Sequence, residues 1–381
     1  MAKSAHTPSM PLFRRELASV KTLVVKTGSR ILTAAGHEER VRRLVDDLSA
    51  LRNSGVRVIL VSSGAIAHGM KALGLAKSPA EIPMQQACAA IGQNRLMGIY
   101  QDFFEGNGVV IGQVLLTWDD LRSKKRYLNL RNTLFQLLDC GAVPIINEND
   151  SVGVEEIQFG NNDALGAQIA LLTNADVYVN LTDVGGLYDK NPRTEKGAKH
   201  IPVVKSVSSG IQGMAADKRN DISVGGMSTK LKAAQVVTKA GIPALIGDGF
   251  DQRLLTVLRD ESRATLFLPS ENKMPSRQRW IAFSGQPAGA VIVDDGARKA
   301  IAEKGKSLLA AGITGVRGHF RAGDTVDIVD AGDNVVARGL VNFTAEELGI
   351  IKGCKTTEIS QKLGAIKFNE VILRDNLVTL A

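Results

Sequence analysis

Five short apolar runs, each stopped abruptly by glycine, small hydroxyl, amide or charged residues, restrict what this chain can fold into. Leu23-Val24-Val25 runs into Lys26-Thr27-Gly28-Ser29, and Val56 to Val61 (VRVILV) into Ser62-Ser63-Gly64-Ala65. Ala142 to Ile146 (AVPII) runs into Asn147-Glu148-Asn149-Asp150, and Val177 to Leu181 (VYVNL) into Thr182-Asp183-Val184-Gly185-Gly186. Ile242 to Ile246 (IPALI) runs into Gly247-Asp248-Gly249. Continuous apolar runs of this length suit strands buried on both faces, as in parallel sheets. Helical patterns separate them: Val41, Leu44, Val45, Leu48 and Leu51 recur at helical spacing, and Arg131 to Leu138, Ala164 to Leu172 and Lys230 to Ala240 read as helices. Alternating strand and helix gives an α/β fold, an open and mostly parallel sheet sandwiched by helices. In such sheets ligands bind just outside the carboxyl ends of the strands, where this sequence puts its polar chemistry.

The pattern changes after Phe267. Leu268 to Gln278 (LPSENKMPSRQ) is polar and carries two prolines, a linker signature. Beyond it, β-like pieces at Ala290 to Val293, Thr325 to Val329 and Val335 to Arg338 are separated by Gly/Asp-rich turns, with one helical piece at Ala297 to Ala302. A chain of 381 residues exceeds the usual single domain. The expected division is an N-terminal extension at 1–20, an α/β domain at 21–267, a linker at 268–278, a small β-rich domain at 279–365 and a tail at 366–381.

Several function classes lose support. No apolar run approaches the ~18 residues of a membrane span, and the first twenty residues have no signal-peptide h-region. Three scattered cysteines argue against a disulfide framework or structural zinc and suit a reducing cytoplasm. Five scattered histidines give no metal-ligand spacing and no hydrolase triad. Net charge is +8, of which +2 lies from Arg277 onward (14 Lys+Arg against 12 Asp+Glu) and +6 before it (33 against 27). No dense basic block appears, and an aromatic content of 4% argues against a base-stacking platform.

What remains is equipment for an anionic ligand. Gly225-Gly226-Met227-Ser228-Thr229-Lys230 opens the helix before the fifth run. Backbone N–H groups there bind phosphate oxygens, and Lys230 adds a mobile charge; the same residues also make an ordinary glycine loop, capped helix and exposed lysine. The only Gly-Lys-Ser, at 305–307, has Ala300 where a Walker loop needs glycine, and no dinucleotide fingerprint follows a strand. Lys26 ends the first strand, which places it either in the crevice or on the surface. Asn147 to Asp150 and Gly160-Asn161-Asn162-Asp163 form a polar cluster able to hold an ammonium group. They are also ordinary turn residues. The stretch between them reads as a β-hairpin over the site.

Taken together, LVVKTGS (Leu23 to Ser29), VSSGAIAHG (Val61 to Gly69), PIINEND (Pro144 to Asp150), GNNDALGA (Gly160 to Ala167), LTDVGGLYDKNPR (Leu181 to Arg193) and GGMSTKLKAA (Gly225 to Ala234) resemble the amino-acid kinase family. The SSGAIA, NEND and GGMSTK forms are similar to those of its glutamate-phosphorylating branch. ENKMPSRQRWI and AGAVIVDDGA resemble the PUA domain appended to many of that branch. The resemblance covers about residues 20–365 and implies ATP-dependent phosphorylation of the γ-carboxylate of L-glutamate to L-glutamyl 5-phosphate, the first step of proline biosynthesis. It also implies Mg²⁺ with no assigned protein ligand, inhibition by proline, a homo-oligomer (dimer or tetramer), transfer of product to the next pathway enzyme and a cytoplasmic location. Carried over by position, Lys26 and Lys230 contact ATP phosphates and Asp163 holds the lysines. Ser63, Asp150 and Asn162 bind glutamate. Thr182, Asp183, Val224, Gly225, Gly226, Met227, Ser228, Thr229 and Lys230 line the nucleotide site. One departure is the first turn, often K-x-G-T-S in the family and here Lys26-Thr27-Gly28-Ser29-Arg30. Two other functions compete: a family member acting on another carboxylate, and an RNA-binding or RNA-modifying protein recruited by the PUA-like tail.

Overall fold

The computed structural model describes residues 19–153, 162–214, 226–259, 263–270, 274–283, 287–364 and 368–380. The chain divides into two compact units, Met1–Lys273 and Met274–Ala381.

The first unit is built on one eight-stranded sheet. Its strands in chain order are β1 (Thr22–Thr27), β2 (Arg57–Val61), β3 (Ile111–Leu116), β4 (Val143–Glu148) and β5 (Val177–Thr182). A small hairpin of β6 (Leu187–Tyr188) and β7 (His200–Ile201) forms a separate ribbon. The main sheet is completed by β8 (Val203–Val204), β9 (Ala244–Asp248) and β10 (Thr265–Phe267). The spatial order is β3-β4-β2-β1-β5-β9-β10-β8. The first six are mutually parallel, and β10 runs antiparallel to β9. All five apolar runs are strands of the parallel part. From β1 the chain moves to β2 and its outer neighbours, then returns to β5 and β9 on the other side of β1. The strand order therefore reverses at β1, which puts the ligand crevice beyond its carboxyl end.

Strand parity decides which residues meet which helices. Leu23 and Val25 of β1, Val177, Val179 and Leu181 of β5, and Leu245 of β9 point into one core. There they pack on Val41, Leu44, Val45 and Leu48 of the helix His37–Asn53 and on Leu96, Tyr100 and Phe104 of the helix Ile82–Gly106. Alternate side chains of a strand face opposite ways, so Lys26, Tyr178 and Asn180 face the other layer. That layer holds the paired helices Asn162–Thr173 and Met227–Lys239. Gly166 makes the close fit there work: a Cβ on it would sit 2.9 Å from the Tyr178 hydroxyl and 3.2 Å from Lys26 Cβ.

The second unit has its own five-stranded sheet of β11 (Gly289–Val293), β12 (Ile313–Gly318), β13 (Thr325–Val329), β14 (Val335–Leu340) and β15 (Leu377–Thr379), ordered β12-β11-β13-β14-β15. Its core is separate and includes Val291, Val326, Ile328, Phe343, Leu348 and Ile372. The two-part architecture of an α/β unit and a β-rich unit matches the expectation from sequence.

Candidate active site

Lys26 is the last but one residue of β1 and lies in register with Asn180 of β5. Both side chains point at the first turn of the helix Asn162–Thr173, where Asp163 is 1% exposed. The Asp163 carboxylate is divided between two lysines. Lys26 Nζ lies 2.6 Å from Oδ1 and Lys230 Nζ 3.2 Å from Oδ2. Asn180 Nδ2 donates to Oδ1 at 2.9 Å, and the Thr229 hydroxyl lies 2.6 Å from Oδ2. The Tyr178 hydroxyl donates to the Asp163 carbonyl at 3.2 Å.

Both lysines are buried, yet the three charges sum to +1. Burial alone would push the Asp163 carboxyl up, but Lys26 and then Lys230 hold it far below the ordinary carboxylate range. Lys230 titrates below an ordinary lysine because burial disfavours its charge; Asp163 opposes that shift and Lys26 adds to it. A buried, net-positive centre of this kind holds an anion in a medium where charge interactions are stronger than in water.

Helix starts converge on the same region. The helix Met227–Lys239 begins after Gly226, and the short helix Ser29–Thr33 begins after Gly28; neither has a side-chain cap bond. Their first N–H groups and dipoles favour negative charge. Met227 is half-buried, and Ser228 is exposed. Val224 and Gly225 lie outside the described residues, as does the stretch 154–161 expected to form a hairpin.

Thr182 ends β5, and its hydroxyl lies 3.3 Å from Asp183 Oδ1. Arg193 Nη2 lies 2.8 Å from Asp183 Oδ2, and Arg30 pairs with the same oxygen. Burial raises the Asp183 carboxyl, but the hydrogen bond and charge of Arg193 and then the charge of Arg30 bring it below its usual value. Arg30, the departure in the first turn, thus ties that turn to the end of β5.

Of the remaining polar residues, Ser63 sits against the end of β1, and Asp150 and Asn162 belong to a second polar region. Ser63 is buried after β2 and donates to the Thr27 carbonyl at 2.6 Å. Asp150 helps line a cavity of about 230 Å³ between the helix Ile82–Gly106 and the ends of β3 and β4, together with Gln93, Gln113 and Glu148. Asn162 is joined to this region through Asn147, whose Oδ1 accepts from Asn162 Nδ2 at 3.0 Å. The structure therefore brings Lys26, Asp163, Thr229 and Lys230 into one cluster, Thr182 and Asp183 to the neighbouring strand end, and Asp150 to a polar cavity, with Asn162 linking cluster and cavity.

Sequence reasoning missed Tyr178, Asn180 and Gln93. A polar residue inside the apolar run VYVNL was the available signal for Asn180, since a buried polar group needs partners. Gln93 gave none, because nothing in its neighbourhood reads as a site. Among the described residues no group of three or more His, Cys, Asp or Glu is arranged to hold a metal. Mg²⁺ commonly binds through substrate phosphates and water with few protein ligands, which fits a site furnished with lysines and N–H donors.

The amino acid kinase family model matches residues 21–248, and the PUA domain model matches 289–363. The glutamate 5-kinase of Syntrophus aciditrophicus is 44% identical over 96% of this chain and 95% of its own length. That of Trichlorobacter lovleyi is 44% identical over 96% of this chain and 98% of its own, and that of Moorella thermoacetica 43% over 96% and 98%. The family's match spans the strand ends that carry the lysine–aspartate–lysine cluster, and the relatives run the length of both units: the chain belongs to the amino acid kinase family, in its glutamate 5-kinase branch, and carries a PUA domain.

Proposed function

We propose that this kinase transfers the γ-phosphoryl group of ATP to the γ-carboxylate of L-glutamate, giving L-glutamyl 5-phosphate and ADP as the first step of proline biosynthesis. The observation that carries the reading is the net-positive Lys26–Asp163–Lys230 cluster, buried at the carboxyl end of β1. A glutamate side chain has a reference pKa near ~4.3 and is ionised at neutral pH, so the acceptor needs no general base. A carboxylate oxygen attacks the γ-phosphorus in line as the bond to the β-phosphate oxygen breaks. The obstacle is repulsion between carboxylate and triphosphate, which positioning and cation placement overcome.

The residues divide that work. Lys26 and Lys230 neutralise phosphate oxygens from two sides, and Asp163 fixes both ammonium groups and reduces their mutual repulsion. The N-termini of the helices Ser29–Thr33 and Met227–Lys239 receive phosphate oxygens. Thr182 and Asp183 border the nucleotide. Ser63, Asp150 and Asn162 receive glutamate. Mg²⁺, when bound with ATP, supplies further neutralisation of the triphosphate. Proline carries the same α-amino and α-carboxylate groups as glutamate, which supports inhibition at the same cavity. A homo-oligomer, a cytoplasmic location and transfer of the acyl phosphate to the next enzyme belong to the same proposal. No helix among the described residues is long and apolar enough to cross a membrane.

The test is ADP release by the full chain with L-glutamate, L-aspartate, N-acetyl-L-glutamate or bicarbonate plus ammonia, each with and without Mg²⁺. Turnover that saturates with L-glutamate and needs Mg²⁺ supports the reading. Equal or greater turnover with another acceptor refutes the substrate assignment.

A further inference from the structure

We propose that Gln93 is a specificity-determining residue whose side-chain nitrogen donates a hydrogen bond to the α-carboxylate of the amino-acid substrate; this rests on the glutamate reading above. The argument starts from one backbone donor. The Glu148 N–H donates to the Asn147 side chain at 3.0 Å. A backbone N–H can only donate, so the atom it meets must be Oδ1, and Asn147 cannot be turned over. The same oxygen accepts from Asn162 Nδ2 at 3.0 Å. Asn147 Nδ2 then has to donate, and it does so to Gln93 Oε1 at 2.8 Å. Each amide sets the next, so Gln93 is left presenting its NH₂ group.

That NH₂ has no partner among the described residues, although Gln93 is only 9% exposed. A buried donor without an acceptor is destabilising, and a ligand oxygen removes that cost. Gln93 lines the cavity of about 230 Å³. Opposite charge is already provided for an ammonium group, since Glu148 and Asp150 line the same cavity. For a carboxylate, the described lining offers no lysine, arginine or histidine, only the amides Gln93, Asn94, Gln113 and Asn149 and the Ser151 hydroxyl, which donates to Asn149 Oδ1. Of these, Gln93 is the one whose donor end is dictated by the amide chain. A cavity with carboxylates for an ammonium group and an oriented N–H for a carboxylate matches the α-carbon end of an amino acid. The other end of the chain, Asn162, immediately precedes Asp163. The amide chain thus couples the α-carbon end of the substrate to the phosphoryl-transfer cluster.

The test uses Gln93→Glu in the full chain. This substitution keeps the volume and the bond from Asn147 but replaces the donor with a carboxylate oxygen. KM for glutamate should rise about tenfold or more, with KM for ATP and kcat at saturating glutamate within about twofold of wild type. Two analogues locate the contact. The preference for glutamate over 4-aminobutyrate, which lacks the α-carboxylate, should shrink in the variant. The preference over glutarate, which lacks the amino group, should stay the same. Gln93→Met, which removes the donor without adding charge, provides a second measure if the first variant loses its cooperative melt. An unchanged KM for glutamate in a folded variant overturns the inference alone, as does a parallel rise in both KM values. Failure of the wild-type protein to turn over glutamate overturns the underlying reading, and the inference with it.

Discussion

Asp163 faces two lysines across one carboxylate, and its ionisation bears directly on stability. Its carboxyl is held below the unfolded value, so its stabilising contribution is complete above about pH 4 and is lost only as the pH falls through the depressed folded value. Asp163→Asn removes the carboxylate that both buried ammonium groups face. We expect it to lower stability by about 3–5 kcal/mol at neutral pH, measured by urea denaturation, with the gap to wild type closing only in strong acid. A gap that closes near neutral pH contradicts the assignment. Lys230 has the opposite signature. Burial lowers its pKa, so its charge disappears as pH rises through a value below the ordinary ~10.4. If that charge is needed for transfer, kcat/KM must show an alkaline limb below the ordinary lysine range, since kcat/KM reports groups of the free enzyme. Lys230→Arg, which stays charged at any accessible pH, should lower the rate and remove that limb. Retention of the limb would assign it to another group.

At the scale of elements, the amide-bearing helix Ile82–Gly106 is placed by a glycine contact. A Cβ on Gly92 would lie 1.8 Å from the Ala65 carbonyl oxygen, and one on Gly69 would lie 1.8 Å from that of Cys88. The helices Ala65–Ala72 and Ile82–Gly106 therefore cross backbone to backbone, with Gln93 next to the crossing. Gly92→Ala must push them apart. We expect a loss of about 1–3 kcal/mol, read as a fall in melting temperature, and a rise in KM for glutamate because Gln93 moves with its helix. A variant that melts and binds as wild type would show that the crossing does not set the site. This helix was not legible in the sequence, and the reason is physical: its buried face is Cys88, Ala89, Gly92, Gln93, Leu96, Tyr100 and Phe104, where small and polar residues dilute the helical period. The edge strand β3 was hidden differently, since Ile111, Val114 and Leu115 are only partly buried and Gly112 and the exposed Gln113 interrupt the run. Strands β1, β2, β4, β5 and β9 were legible because burial on both faces forces continuous apolar runs. The lysines and Asp163 could be singled out from their motifs, but their meeting on one carboxylate was given only by the family resemblance, because it depends on strand register, which no single segment carries.

For the whole molecule, the proposed chemistry lies within Met1–Lys273, and the two units have separate hydrophobic cores. We propose that the PUA unit is dispensable for phosphoryl transfer. A chain ending at residue 273 should melt cooperatively and keep glutamate-dependent ADP release, whatever becomes of its regulation or assembly. A folded truncation with no turnover would place part of the site in the second unit. The central claim is that the lysine–aspartate–lysine cluster drives transfer to a glutamate carboxylate. The most direct measurement is single-turnover ADP formation at saturating ATP and glutamate, with wild type and Lys230→Ala side by side. Loss of one positioned cation should cost about 3 kcal/mol in the transition state, roughly 10²-fold in rate, in a variant that retains a cooperative melt. Wild-type turnover that ignores glutamate, or a folded Lys230→Ala protein working at the wild-type rate, would contradict the account.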